Sequence, residues 1–212
     1  MYDTKMASVL TGATLGQLAR WRSDLGSQGP LLEPAHRDSR RHLYSFEDVV
    51  ALRGYVLLRQ QTSLQRIRKA VQYLKETHPD THLSSHLLKV APGGRTIVWM
   101  SDDGEYVDVV ERPGQQGIRV VMQAIFGEFE TDSGRVVPDL SEPAPGLSID
   151  IDTRAGFPVL AGTRLPFNTI SSLSRDGVRD EDIIEMYPSA TPRGIAGANQ
   201  FAKLIELNAA VA

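Results

Sequence analysis

The segment PVLAGTRLP, residues 158–166, places one arginine in a run that is otherwise apolar or turn-forming. The guanidinium of Arg164 is a rigid fork that pairs bidentately with carboxylates, so it suits contact with an acidic partner. Gly162 can supply a turn conformation and Pro166 can start a helix, so the same residues also suit a plain strand-to-helix turn. A phosphate-binding loop would need more glycines and a lysine.

Catalytic and metal-binding constellations are weakly supported. His78, His82 and His86 stand four residues apart, a spacing that would align zinc ligands on one helix face. Pro79 opposes a helix there, and no acidic residue is spaced with these histidines, so we expect no metal site. No nucleophile has a plausible base nearby, and the absence of cysteine excludes disulfides, thiolate metal sites and thiol catalysis. We therefore expect a protein that is not an enzyme and has no cofactor.

Charge is divided unevenly along the 212 residues. Residues 1–77 carry 12 Lys and Arg against 7 Asp and Glu, a net +5, whereas residues 78–212 carry 11 against 19, a net −8. A basic segment suits a phosphate backbone, and an acidic segment would be repelled from one. No stretch approaches the roughly 18 apolar residues of a membrane span, and the N-terminus lacks a signal-peptide pattern. We therefore predict a cytoplasmic protein that makes no membrane contact.

Two short helices joined by a tight turn are predicted at the N-terminus. Asp3 or Thr4 can cap the first helix, and Gly12 breaks it. Thr14 and Gln17 then match the Thr-x-x-Gln capping box that opens the second helix. The apolar side chains of that helix share one face and leave the polar ones outside it. A helix-turn-helix of this kind presents its second helix to the major groove of DNA.

A basic loop follows these helices. The pieces around Pro30 and Pro34 should be extended, and the tip HRDSRRH, residues 36–42, is polar and basic. A basic loop beside a helix-turn-helix is a wing, which grips phosphates or enters the minor groove. Ser45 and Asp48 then resemble a second capping box, which starts another helix. A helix-turn-helix used only for protein contacts is the competing interpretation.

The whole chain predicts a mainly α fold with a small β portion, an α+β class. Three β-rich runs within residues 86–112 predict a small antiparallel sheet, and apolar residues at helical spacing predict a helix over 118–129. Residues 132–146 are rich in proline, serine, glycine and acid, which is typical of a linker. Residues 147–212 predict a compact three-helix domain. The expected domains are 1–77, 78–131 and 147–212, with the linker before the last.

Helix signals in the C-terminal domain place its three helices. The first is expected over 168–174, Asp180 is expected to cap the second, and Thr191 is expected to cap the third. Pro192 then takes the first helical position. The second helix runs through Ile183, Ile184 and Met186, and Pro188 ends it. The third helix is expected to bury Ile195, Phe201, Leu204 and Ile205.

The N-terminal signals occur in a recognisable order. TGATLGQLARW, residues 11–21, followed by GPLLEPAHRDSRRHLYSFEDV, residues 29–49, resembles the winged helix-turn-helix of MerR-type regulators, and the likeness covers residues 2–77. It departs from the family at His42, where a wing arginine is usual, and at a helix too short for the long dimer coiled coil. The resemblance implies DNA contacts from these residues: Thr14, Gln17 and Arg20 on the helix, and Arg37, Arg40 and Arg41 on the wing.

The C-terminal motif is similarly specific. GFPVLAGTRLPFNTI and DGVRDEDIIEMYPSATPRGI, within residues 148–206, resemble a small uncharacterised domain family found in VapB-like antitoxins. Its members are associated with toxin–antitoxin operons whose toxin is a PIN-like ribonuclease, an enzyme with a carboxylate-rich metal site. The resemblance implies a VapB-type antitoxin with a MerR-like head. In that case Gly162, Thr163 and Arg164 would contact the toxin, and the head would bind operator DNA.

A homodimer is expected because one winged head reads few base pairs, and two-fold pairing doubles the site. The expected seam is the helix over 63–75 or the helix over 118–129. The alternative function is a MerR-like transcriptional regulator that senses a small ligand through its middle and C-terminal regions. A neighbouring reading frame that encodes a ribonuclease would favour the antitoxin.

Overall fold

The structure is a computed structural model, and it describes residues 1–23, 29–37, 41–77, 79–80, 82, 88–90, 97–100, 106–108, 116–117 and 123–210. The predicted α+β class is confirmed, because helices predominate and the strands pair in small antiparallel sheets. Among the described residues, no helix has the length and apolar character needed to cross a membrane.

Helices and short strands alternate along the chain. The described helices are α1 (Thr4–Thr11), α2 (Leu15–Arg22), α3 (Phe46–Arg59), α4 (Leu64–Thr77), α5 (Gln123–Phe126), α6 (Phe167–Arg175), α7 (Asp180–Met186) and α8 (Pro192–Ala210). The strands are β1 (His36–Arg37), β2 (His42–Leu43), β3 (Leu88–Val90), β4 (Ile97–Met100), β5 (Tyr106–Asp108), β6 (Gln116–Gly117), β7 (Phe129–Glu130), β8 (Val136–Val137), β9 (Leu147–Ser148) and β10 (Val159–Leu160). Strands β3 to β6 form one antiparallel sheet in sequential order, which confirms the sheet predicted in the middle of the chain.

Capping residues start the N-terminal helices at the predicted places. The Asp3 carboxylate accepts a hydrogen bond from the Met6 amide at 2.8 Å, and Gly12 ends α1 in the left-handed conformation, at φ +78°. Ser45 and Asp48 form the predicted capping box at the start of α3. These caps satisfy backbone groups that a helix end leaves unpaired, so they fix where each helix begins and ends.

Helix α1 packs against helices from both ends of the chain. Every residue of α1 from position 6 to position 11 is buried. Helix α1 contacts both α3 and α8. Buried side chains of all three helices, such as Leu10, Val49 and Phe201, belong to one hydrophobic cluster. The first helix and the last described helix therefore stabilise each other through a shared core.

The side chain of Arg53, on α3, is fully buried in this core. Its guanidinium donates hydrogen bonds to five backbone carbonyls: those of Leu10, Ile125, Phe126, Gly127 and Pro138. Burial lowers the pKa of Arg53 from its ordinary 12.5 to about 10, so the group stays protonated at neutral pH. One buried cation thus joins α1, α3 and the two segments that flank the β7–β8 hairpin.

Arg53 also explains a difference from the sequence prediction. Residues 118–122 of the helix predicted over 118–129 lie outside the described residues, and α5 spans only Gln123–Phe126. The prediction is wrong for Phe129, which lies in β7. At the end of α5 the carbonyls of residues 125–127 accept hydrogen bonds from Arg53, and the Phe126 carbonyl also accepts one from the Leu140 amide at 2.7 Å. These tertiary donors take the place that later helical amides would have in a longer helix. The Phe129 ring then packs 4.9 Å from the guanidinium carbon.

The sequence predicts a linker over 132–146, whereas the structure packs this stretch against the core. Its side chains Val137, Leu140 and Ala144 are buried. Its Pro145 carbonyl lies so close to α8 that a Cβ on Gly197 would be 2.1 Å from the carbonyl oxygen. Only glycine permits that approach, so residues 132–146 are fitted onto the C-terminal helix.

The C-terminal helices follow the predicted order. Helix α6 covers the predicted helix over 168–174, and α8 begins at Pro192 as predicted. The Thr191 hydroxyl caps α8 by accepting a hydrogen bond from the Gly194 amide at 3.1 Å. The core positions Ile195 and Phe201 are buried as expected.

Two details of these helices differ from the prediction. Asp180 is the first residue of α7 and not its cap, and Arg179 before it makes no capping bond. Instead, Arg179 binds the Asp182 carboxylate at 2.8 Å, within an acidic first turn that complements the helix dipole. Leu204 is 38% exposed instead of buried, because α8 turns only one narrow face to the core.

Replacing Arg53 tests how far the fold depends on it. We expect Arg53→Leu to lower the free energy of unfolding by about 3–5 kcal/mol, because the buried carbonyls lose their donor. Arg53→Lys should recover only part of the loss, since an ammonium has fewer donors and no planar fork. Urea denaturation measures both. Arg59→Leu, on the exposed last turn of α3, is the control, and equal losses at both positions would contradict the role of Arg53.

Candidate functional site: a basic surface and an exposed turn

Helix α2 and the β1–β2 hairpin carry exposed arginines. Arg20 is exposed on α2, Arg37 ends β1, and Arg41 directly precedes β2. Arg37 pairs with His42 across the hairpin, so Arg37 and Arg41 lie at the same end of it. Arg40, also predicted to contact DNA, lies outside the described residues. We refer to Arg20, Arg37 and Arg41 as the basic surface.

Hydrogen bonds hold the end of α2 beside this hairpin. The Trp21 carbonyl accepts a hydrogen bond from the Leu31 amide at 2.8 Å. The Arg22 guanidinium reaches the Tyr44 hydroxyl, just after β2, at 3.5 Å. The Trp21 side chain is buried on the apolar face of α2, and the neighbouring Arg20 is exposed to solvent. The exposed face of α2 and the hairpin therefore belong to one continuous unit.

Thr14 and Gln17 combine exposure with a structural task. The Thr14 hydroxyl accepts a hydrogen bond from the Gln17 amide at 3.1 Å, and the Gln17 side-chain oxygen accepts one from the Thr14 amide at 2.8 Å. Both residues are exposed at the start of α2. The cap uses the amide oxygen of Gln17, so its NH₂ group is the part suited to donate to a base edge.

The Asp48 side chain binds the backbone just before the hairpin. One carboxylate oxygen accepts a hydrogen bond from the Ala35 amide at 2.9 Å, just before β1, and the other lies 3.2 Å from the His82 ring. That hydrogen bond raises the pKa of His82 above its ordinary value. His78 and His86 lie outside the described residues, and within the described residues no cluster of side chains suits a metal ion.

The turn between β10 and α6 is held by its own hydrogen bonds. Gly162 has φ +74°, the left-handed conformation that the sequence predicts. The Thr163 hydroxyl donates to the Leu160 carbonyl at 2.9 Å and accepts from the Leu165 amide at 3.0 Å. The Thr163 hydroxyl therefore makes both of its hydrogen bonds within the turn.

Arg164 is different from its neighbours in this turn. Its side chain is exposed, and among the described residues no carboxylate forms a salt bridge with it. Two other exposed arginines of the C-terminal part are paired, Arg175 with Glu206 and Arg193 with Glu142. Arg154 is also exposed and, like Arg164, forms no salt bridge among the described residues. Arg164 is thus a cation held at a fixed turn with its guanidinium available to a partner.

One contact that joins the N-terminal and C-terminal parts has no signal in the sequence. The Tyr2 hydroxyl donates to the Gly156 carbonyl, and Tyr2 also pairs with Tyr44 at the end of the hairpin. Gly156 has φ +77°, and a Cβ there would lie 2.9 Å from both Tyr2 and Phe46. Glycine is required at this position for both reasons. The partners stand 154 residues apart, so no local spacing could reveal the contact.

Comparisons with known proteins concern the C-terminal part and the fold. Residues 147–202, which include the Gly162 turn, match a family described as "Protein of unknown function (DUF433)". The chain is similar to the crystal structure of Rv2018 from Mycobacterium tuberculosis, with a TM-score of 0.51 and 16% identity. That alignment covers 93% of this chain and 96% of the other, and at this identity the likeness is one of fold alone. No curated protein matches.

The turn separates a backbone role from a side-chain role. We expect Gly162→Val to lower the free energy of unfolding by about 1–3 kcal/mol, because a β-branched residue resists positive φ. Arg164→Ala should leave it unchanged within about 0.5 kcal/mol, because the side chain is exposed. Urea denaturation of the two variants measures this contrast. A valine tolerated at 162, or a marked loss at 164, would overturn the division of roles.

Proposed function

We propose that this protein is the antitoxin of a type II toxin–antitoxin system. Its N-terminal part binds operator DNA and so represses its own operon, and its C-terminal part neutralises a PIN-like ribonuclease. The proposal depends chiefly on the exposure of the basic surface along α2 and the hairpin. It involves no cofactor and no catalysis by this chain, and it places the protein in the cytoplasm.

The DNA-binding half of the proposal is an electrostatic one. Exposed guanidiniums on a helix and on an adjacent hairpin suit phosphates on either side of a groove. Arg20 and Gln17 are both exposed on α2, and the side-chain NH₂ of Gln17 can donate to a base. We therefore assign base reading to α2 and phosphate contacts to Arg37, Arg40 and Arg41.

The toxin-binding half depends on the turn at Gly162. PIN-like ribonucleases have a carboxylate-rich metal site, and an exposed guanidinium on a fixed turn suits such a site. We assign the toxin contact to Arg164 and the shaping of its turn to Gly162 and Thr163. Arg164 loses little freedom on binding if its backbone is already fixed, which favours affinity.

A homodimer is part of the proposal, but the helix over 63–75 does not offer an apolar seam. The apolar side chains of α4, such as Ile67, Val71 and Leu74, are buried within the chain. A dimer would have to use another surface, and two-fold pairing would still double the length of DNA that is read.

DNA binding is tested with the segment upstream of the protein's own reading frame. We expect Arg20→Ala to weaken binding about tenfold or more for this sequence and less for unrelated DNA. Arg41→Ala should weaken binding to all sequences and reduce the slope of log affinity against log salt by about 1. Fluorescence anisotropy across a salt series measures both effects.

Arg175→Ala is the matched control, because it removes an exposed arginine from the C-terminal part. It should leave DNA affinity and salt slope unchanged. If Arg20→Ala and Arg41→Ala also bind like the original protein, the basic surface does not bind DNA.

Toxin binding is tested with the ribonuclease encoded beside this protein's reading frame. We expect Arg164→Ala to weaken the complex about tenfold or more, because it removes a charge-assisted bidentate pair. Arg164→Lys should recover only part, since an ammonium cannot supply the fork. Calorimetric titration measures the affinity of each variant for the ribonuclease, and an inhibition assay measures how well each variant neutralises it. Arg175→Ala is again the control.

If Arg164→Ala binds the ribonuclease as tightly as the original protein does, Arg164 makes no toxin contact and the turn has only a structural role. If no neighbouring ribonuclease binds while DNA binding persists, a transcriptional regulator that senses a small ligand becomes the better interpretation of the chain.

A further inference from the structure

A closed set of hydrogen bonds joins the α1–α2 turn to the C-terminal helix. The Arg135 guanidinium donates to the Gly12 carbonyl and, at 2.5 Å, to the side-chain oxygen of Asn208 on α8. The Asn208 NH₂ donates to the Ser8 hydroxyl at 2.8 Å, and that hydroxyl donates to the Ala13 carbonyl at 2.6 Å. We call these three side chains, Ser8, Arg135 and Asn208, the turn clasp.

The chemistry of the turn clasp fixes the role of each group. The single proton of the Ser8 hydroxyl goes to the Ala13 carbonyl, so the hydroxyl oxygen must receive its second hydrogen bond. Asn208 supplies it with its NH₂ group, which leaves the amide oxygen for Arg135. An aspartate at 208 would keep an acceptor for Arg135 but would have no donor for Ser8.

The turn clasp ends on two consecutive carbonyls, of Gly12 and Ala13, immediately before α2. Thr14 comes next and caps α2, so the orientation of this helix follows from the position of the turn. Strand β8 presses on the same turn, since a Cβ on Gly12 would lie 2.6 Å from a Val137 methyl carbon. Helix α1 itself is also packed by α3, so α1 does not depend on the clasp alone.

We propose that Arg135 and Asn208 are positioning residues for the DNA-reading helix α2. They belong to the C-terminal half of the chain and act through the Gly12–Ala13 carbonyls, without touching DNA. The proposal rests on the proposed operator binding. It makes the C-terminal helix part of the DNA-reading unit, so loss of the Asn208 hydrogen bonds at the end of α8 weakens operator binding.

Hydrogen exchange of the full chain tests the clasp without DNA. In Asn208→Ala and Asn208→Asp, we expect exchange of the Gln17 and Leu18 amides, which bond to Thr14, to accelerate about tenfold or more. Amides of α6 should keep their protection. Leu207→Ala, on the exposed face of the same turn of α8, is the control and should change neither region.

Operator affinity of the same variants completes the test. We expect both Asn208 variants to lose about tenfold or more, and Arg135→Lys to lose less, because an ammonium retains one of the two bonds. The Leu207→Ala control should bind like the original protein.

Three results would overturn the proposal. Unchanged exchange at the start of α2 would mean that the clasp does not hold the turn. Faster exchange with full operator affinity, or faster exchange throughout α6 as well, would mean that the clasp is only a source of stability. Absence of DNA binding by the original protein would instead defeat the proposed function, and the exchange result would still show whether the turn depends on Asn208.

Discussion

The fold depends on one buried cation, Arg53, which forms no salt bridge among the described residues. Arg53 donates all its described hydrogen bonds to backbone carbonyls, which come from α1 and from the two segments flanking the β7–β8 hairpin. Burying an arginine is costly unless its donors are satisfied, so those carbonyls must sit where the guanidinium fork requires them. The requirement ends α5, places the ring of Phe129, and holds residues 123–140 against the N-terminal helices.

From this constraint follows the packing of the two ends of the chain onto each other. Strand β8 contacts α1, and α8 contacts α1 as well. Glycines mark the points of closest approach, at Gly12 against β8, Gly156 against Tyr2, and Gly197 against the Pro145 carbonyl. The proposed DNA-reading surface and the proposed toxin-binding turn therefore belong to one packed body. A partner bound at the C-terminal part would act on a structure that also supports α2.

Local features could be predicted from the sequence, and distant ones could not. The caps at Asp3, Thr14 and Ser45 join groups three residues apart, so a short pattern contains all the information. The destination of Arg53 could not be predicted, because its partners at 125–127 lie more than seventy residues away. Helical spacing marked the exposed face of α2 correctly. It failed for Leu204, because periodicity gives an apolar face without showing whether a neighbour covers it.

Hydrogen exchange of the full chain in increasing denaturant tests most directly whether the two ends form one cooperative core. The amides of α1, α3 and α8 should exchange through a single opening, with the same free energy and the same dependence on denaturant. Such a result would show that the C-terminal helix and the N-terminal helices stand or unfold together. If the amides of α8 exchange through an opening of much lower free energy while α1 and α3 stay protected, the two ends are independent units. That result would contradict the shared core.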